Sequence, residues 1–200
     1  LGKNLWQSEV DKGGNGATLA SMIIEDMNGM QPSAWVMWDI VDFHKDSKFV
    51  DPTSGNKTEA NNSLAYTGSV WGVGMADHDN EEIALSMKYY AYGQFSRYIR
   101  PGYTIIGTSK GTTLAAYDPD ENKAVVVAMN TSDADKTWKF DLSGFNTMGD
   151  KVTAIRTSGS LDSGEHWADV SSQDDIVTDT ENRNFTATLK ANSITTYIIE

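Results

Sequence analysis

The stretch Asn4-Leu5-Trp6-Gln7-Ser8-Glu9-Val10 runs from an apolar segment to a carboxylate and then into a glycine-rich turn at positions 11–16. Leu5, Trp6 and Val10 suit a buried strand, but carboxylates are rarely buried without a partner. Glu9 is therefore either a salt-bridged strand end or a working group. At the carboxyl end of a parallel strand, side chains point into a ligand crevice, which is where a catalytic carboxylate would sit. A second apolar run, "SAWVMWDIVDF", carries Trp35, Trp38 and Asp39. Indole faces stack on the apolar faces of sugars or bases, and Asp39 can accept hydrogen bonds from hydroxyls. Strand alternation sets Trp38 against Trp35 and Asp39, so only one side of that division can face a ligand; a tryptophan in such a run also serves as core.

Other acid–histidine groups read differently. His44 with Asp42 and Asp46, and His78 with Asp77 and Asp79, lack the spacing of a zinc or calcium site and read as solvated loop charges. "DPDENKA", from Asp118, begins like a calcium loop but lacks the glycine at its sixth position and the glutamate at its twelfth, so it reads as a hairpin turn. There is no G-x-S-x-G elbow and no phosphate-binding glycine loop, which disfavours a serine hydrolase and a nucleotide enzyme.

The elements that position these residues follow from periodicity. Between Ala17 and Met30, Leu19, Met22, Ile23, Met27 and Met30 recur at helical spacing, and Gly29 and Pro32 end the pattern. The run from Ser33 to Phe43 then reads as a strand covered on both faces, so strand, crossover helix and strand make a βαβ unit. A polar loop from Lys45 to about Val73 follows. Asp79 with Glu82 predicts a capping box for a helix from about Asn80 to Tyr98, with Ile83, Met87, Tyr90, Ala91, Phe95 and Tyr98 on one face. From Tyr103 onward, short β-rich runs alternate with Gly, Asp, Asn and Ser turns, the pattern of an antiparallel sandwich or barrel. The change of style at Pro101-Gly102 predicts a boundary between residues 1–100 and 101–200.

With 200 residues, 39% of them apolar, the chain can bury a core; its net charge of −12 disfavours nucleic acid or an anionic membrane as partner. The sequence holds no cysteine, hence no disulfide and no thiolate chemistry, and no apolar run long enough to span a membrane. Glycosylation sequons start at Asn56, Asn61, Asn130 and Asn184 and read as chance in an Asn- and Thr-rich chain.

"LWQSEVD", "MQPSAWVMWDIVD", "ADHDNEEIALSMKYYAYGQFSRYIRPGY" and the terminal "SITTYIIE" together resemble the carboxyl-terminal portion of a family 30 glycoside hydrolase, in its endo-β-1,6-galactanase-like branch. The resemblance spans nearly the whole chain. It implies an α/β plus all-β fold: the last two strands and helices of a (β/α)8 barrel, followed by an antiparallel β-sandwich. It also implies that Glu9 is the nucleophile of a retaining glycosidase, that Trp38 and Asp39 lie on the substrate rim, where the strand pattern would also bring Trp35, and that no cofactor is needed. In that family the acid/base is a glutamate on the fourth barrel strand, for which this chain has no counterpart.

We therefore expect one portion of a larger polysaccharide hydrolase, completed by a companion chain or a missing amino-terminal barrel segment. Two strands cannot close a barrel, so the apolar faces of "SAWVMWDIV" and of both helices should lie exposed. A secreted or extracytoplasmic, bacterial protein is expected. β-1,6-Galactan is the expected substrate, with glucuronoxylan and β-1,6-glucan as alternatives. A reading of another class is a non-catalytic carbohydrate-binding or structural β-module, with Tyr103, Trp138 and Trp167 as sugar platforms or core.

Overall fold

"KAVVVAMN" is apolar at almost every position, and a strand of that kind must be covered on both faces. The computed structural model, which describes residues 3–10, 15–43, 72–77, 81–173 and 175–200, places this run as β8 (Lys123–Asn130) inside a six-stranded antiparallel sheet. Its neighbours are β14 (Ser193–Ile199) and β7 (Thr113–Asp118). β10 (Val152–Ser158) and β11 (Glu165–Asp169) extend the sheet beyond β14, and β6 (Thr104–Ile106) closes the opposite edge.

Ala124, Val126 and Ala128 point to one side of this sheet, with Tyr197 and Ile199 of β14. There they meet Phe140 of β9 (Lys136–Asp141) and Phe185, Ala187 and Leu189 of β13 (Asn184–Leu189), which form a smaller antiparallel sheet with β12 (Val177–Asp179). The rings of Phe140 and Phe185 stack at 4.5 Å, and Tyr197 tilts against both. This is the expected β-sandwich. "DPDENKA" is indeed its β7–β8 turn, where the Asp118 carboxylate accepts from the amides of Asp120 and Glu121. Asn130 and Asn184 are buried in strands, and the Asn130 amide donates to the carbonyls of Ala134, Leu189 and Lys190, so neither sequon presents a free side chain. Asn56 and Asn61 lie outside the described residues.

The alternate residues of the same strands, Leu114, Val127, Met129 and Ile194, face two helices. α1 (Gly16–Gly29) is capped by Asn15, whose side chain accepts from the Thr18 amide at 2.7 Å, and buries Leu19, Ala20, Ile23 and Ile24. α2 (Met87–Ser96) buries Met87, Ala91 and Phe95. The expected exposure of both helices is therefore corrected: their apolar faces are spent against each other and the large sheet. α2 is also pinned by polar contacts. The buried Gln94 amide, with its oxygen turned to Thr157, accepts from that residue's amide at 3.0 Å and hydroxyl at 2.8 Å, and its nitrogen donates to the Ile155 carbonyl. Gly93 gives its missing side chain's space to Trp167, whose indole donates to the Tyr90 carbonyl at 2.8 Å.

β1 (Trp6–Val10) and β2 (Ala34–Met37) pair in parallel with α1 as their crossover, as the βαβ reading requires. Beyond β2, β3 (Val41–Phe43), β4 (Gly74–Asp77) and β5 (Glu82–Leu85) form a small separate sheet. Two expectations fail here. The helix does not start near Asn80: Glu82 opens β5, Ile83 on that strand is 68% exposed, and the helix begins only after Ser86. Ser86 is the cap because its hydroxyl serves two ends, accepting from the Lys88 amide and donating to the Val73 carbonyl. Nor is "SAWVMWDIVDF" one strand covered on both faces; it divides into β2 and β3, with Val36, Trp38 and Ile40 exposed. The loop from Lys45 and the residues His44, Asp46, His78 and Asp79 fall outside the described residues.

A methyl group at Gly93 would stand 2.1 Å from the Trp167 ring. Gly93→Ala should therefore cost about 1–3 kcal/mol by overpacking, read as a lower urea midpoint. A second prediction concerns Glu165. Burial disfavours its charge, but Arg156, donating through Nε and a terminal nitrogen at 2.6 Å each, and Ser158 outweigh that and hold the carboxyl at about 2, below its ordinary 4.5. A depressed carboxylate contributes stability that is present above its unfolded value and lost as pH falls through its folded one. The stability gap between wild type and Glu165→Gln should thus be widest near neutrality and narrow between pH 4.5 and about 2 in urea titrations.

Candidate active site

β1 and β2 run in register at Trp6–Ala34 and Gln7–Trp35, and again at Val10–Met37. Between the last two pairs Ser8 and Glu9 stand opposite Val36 alone, so β1 carries one extra residue, a bulge. The bulge decides where Glu9 points. Gln7 faces α1, donating its amide to Asp26 Oδ2 at 3.4 Å, and Val10 is buried. Strict alternation would put Glu9 on the side of Gln7. With the extra residue it is Val10 that returns to the buried side, and Ser8 and Glu9 are both exposed.

Trp38 joins them. Its backbone amide donates to the Val10 carbonyl at 2.9 Å, which fixes it at the carboxyl end of β1, and its side chain is 51% exposed. Trp6, at 69% exposure, and Val36 lie on the same open face. Asp39 follows Trp38 through a cis peptide bond and is half-buried. The carbonyl of Asp39 accepts from the Val73 amide and that of Ile40 from Gly74, so Ser86, which holds Val73, ties this rim to the start of α2.

Trp35 is not brought to the rim, which sets aside its expected place beside Trp38. Its indole donates to Asp26 Oδ2 at 2.8 Å and its ring lies 6.1 Å from that of Tyr92, on the helix side. Alternation allowed either outcome, and the hydrogen-bond acceptor on α1 decides it. Trp167 is likewise no free sugar platform: its ring is wedged between Gly93 and Tyr89, with the Arg97 guanidinium 4.2 Å from its centroid. Trp138 is half-buried against the sandwich core, and Tyr103 lies under the Lys123 ammonium.

Asp26 is the residue that sequence reasoning passed over. It stands three residues after Ile23 and seven after Leu19, an acid within the apolar stripe of α1, and that misplacement was the available signal. Among the described residues no group of three or more His, Asp or Glu side chains could hold a metal ion, and no helix is long and apolar enough to cross a membrane.

No protein-family model matches the sequence. An endo-β-1,6-galactanase of Hypocrea rufa is 28% identical over 98% of the chain, which spans only 35% of that relative's length. Among solved structures, a family 30 subfamily 8 xylanase of Clostridium acetobutylicum covers the whole chain at 23% identity and a TM-score of 0.67, and a family 30 endoxylanase of Clostridium papyrosolvens does so at 25% and 0.64. The chain spans 43% and 42% of those structures.

The exposures predict an order of chemical modification. N-Bromosuccinimide followed by peptide mapping should oxidise Trp6 and Trp38 well before Trp35 and Trp167.

Proposed function

We propose, from the chain's standing as the carboxyl-terminal portion of a family 30 glycoside hydrolase, that it carries the nucleophile-bearing rim of a retaining endo-glycosidase. The supporting observation is the β1 bulge, which leaves Glu9 exposed at the carboxyl end of a parallel pair, one residue before Val10, whose carbonyl accepts from the Trp38 amide. In the reaction the Glu9 carboxylate attacks the anomeric carbon and the glycosidic bond breaks to give a covalent glycosyl-enzyme. A second carboxyl group, about 5 Å away, gives its proton to the leaving oxygen and then takes one from the water that releases the sugar. That second group comes from a segment outside these 200 residues. Trp38 offers a stacking face for a sugar ring, and Asp39, which like Trp38 lies past the end of β2 and so outside its alternation, accepts from its hydroxyls. No cofactor enters this chemistry.

The same segment, a companion chain or an amino-terminal barrel portion, would supply the remaining strands of the barrel to which residues 1–100 contribute, with 101–200 as its side domain. Trp6, Val36, Trp38 and Ile40 are exposed on this part of the chain, and covering what remains open of each would contribute on the order of 1 kcal/mol. We take β-1,6-galactan as substrate, on the name of the 28% identical relative, and glucuronoxylan as the second choice, in keeping with fold neighbours named as xylanases. β-1,6-Glucan would use the same nucleophile. The enzyme acts outside the cytoplasm, where such polymers are found.

Native mass spectrometry should find the 21.9 kDa chain with the companion segment, and the assembly should hydrolyse galactan. Glu9→Gln in that assembly should lower turnover by about three orders of magnitude or more without altering the thermal midpoint. Turnover near wild type would remove Glu9 from its role. Binding of soluble glycans by the 200-residue chain alone, undiminished by Trp38→Ala, would favour the non-catalytic module.

A further inference from the structure

Asp26 sits where helix electrostatics disfavour it. It lies in the last turn of α1, at the negative end of the helix dipole, half-buried and with no basic residue in that turn. A carboxylate there needs donors, and it has two that converge on one oxygen. Oδ2 accepts from the Trp35 indole at 2.8 Å and from the Gln7 amide at 3.4 Å. These two donors are Cα partners directly across the β1–β2 ladder, and they form the last regular pair before the bulge.

The consequence concerns register. A two-stranded parallel pair is held by few backbone bonds, and a one-residue slip reverses every side chain. If Gln7 lost its place on the α1 side, the extra residue would no longer be confined between Gln7 and Val10, and the side that Glu9 takes would no longer be fixed. We infer that Asp26 is a positioning residue, a clamp that fixes the Gln7–Trp35 pair and so holds the bulge that presents Glu9. As a contribution to catalysis this rests on Glu9 being the nucleophile; as a statement about β1 it stands apart from that reading.

The test uses the 200-residue chain and compares Asp26→Ala with Asp26→Asn by amide hydrogen exchange and by the indole resonance of Trp35. Asparagine keeps one carbonyl oxygen where both donors meet, whereas alanine removes it. Asp26→Ala should speed exchange at residues 7–10 by about tenfold or more and move the Trp35 indole N–H upfield, while the β8 and β14 amides keep their wild-type protection. Asp26→Asn should restore both signals to near wild type. Unchanged exchange at residues 7–10 in Asp26→Ala overturns the clamp. So does a loss of protection that spreads evenly into β8 and β14, or an asparagine variant no better than alanine. Failure of Glu9→Gln to impair the assembled enzyme would cancel the catalytic reading while leaving these exchange results intact.

Discussion

The sheet built on β8 and β14 is apolar on both faces, and the rest of the molecule follows from covering it. Ala124, Val126, Ala128 and Tyr197 require the smaller sheet of β9, β12 and β13; Val127, Met129 and Ile194 require α1 and α2. Polar contacts then fix what burial alone would leave sliding. Gln94 ties α2 to Thr157 and Ile155, and Trp167 fills the space at Gly93. Removing those ties would leave the helices greasy but unregistered against the sheet.

Because α1 and α2 spend their apolar faces on the sandwich, they hold the β1–β2 pair from one side only. The opposite face keeps Trp6, Val36 and Trp38 in solvent, and Glu9 among them. An exposed carboxylate feels water on nearly every side. On the proposed reading the walls around it would come from a further segment, in keeping with a chain that spans 35% of its curated relative and 43% of a structural one. The likeness to the carboxyl-terminal portion of family 30 glycoside hydrolases covers the whole chain and accounts for both features, the parallel pair and the sandwich behind it.

Much of this was legible in the sequence. The strand periodicity after Tyr103 marked the sandwich, and Leu19, Ile23 and Gly29 marked α1. Glu9 stood out as a charge that a buried strand could not explain. The failures have particular causes. Glu82–Leu85 reads as the first turn of a helix because Ile83 and Met87 are four apart, yet pairing with β4 takes those residues into a strand. Trp35 and Trp38 differ only in parity, and nothing local says which parity meets Asp26. The bulge at Ser8-Glu9 has no signature in composition; it is set by where Gln7 and Val10 find partners, and those partners are distant in sequence.

The central claim, that Glu9 is the attacking carboxylate, is tested most directly by trapping. The assembled enzyme, treated with an activated 2-deoxy-2-fluoroglycoside of its substrate sugar, should accumulate a covalent adduct, because the fluorine slows both formation and release of the glycosyl-enzyme while the activated leaving group speeds its formation alone. Peptide mass spectrometry should place that adduct on Glu9. An adduct on any other carboxylate, or full inactivation with Glu9 unmodified, would contradict the account.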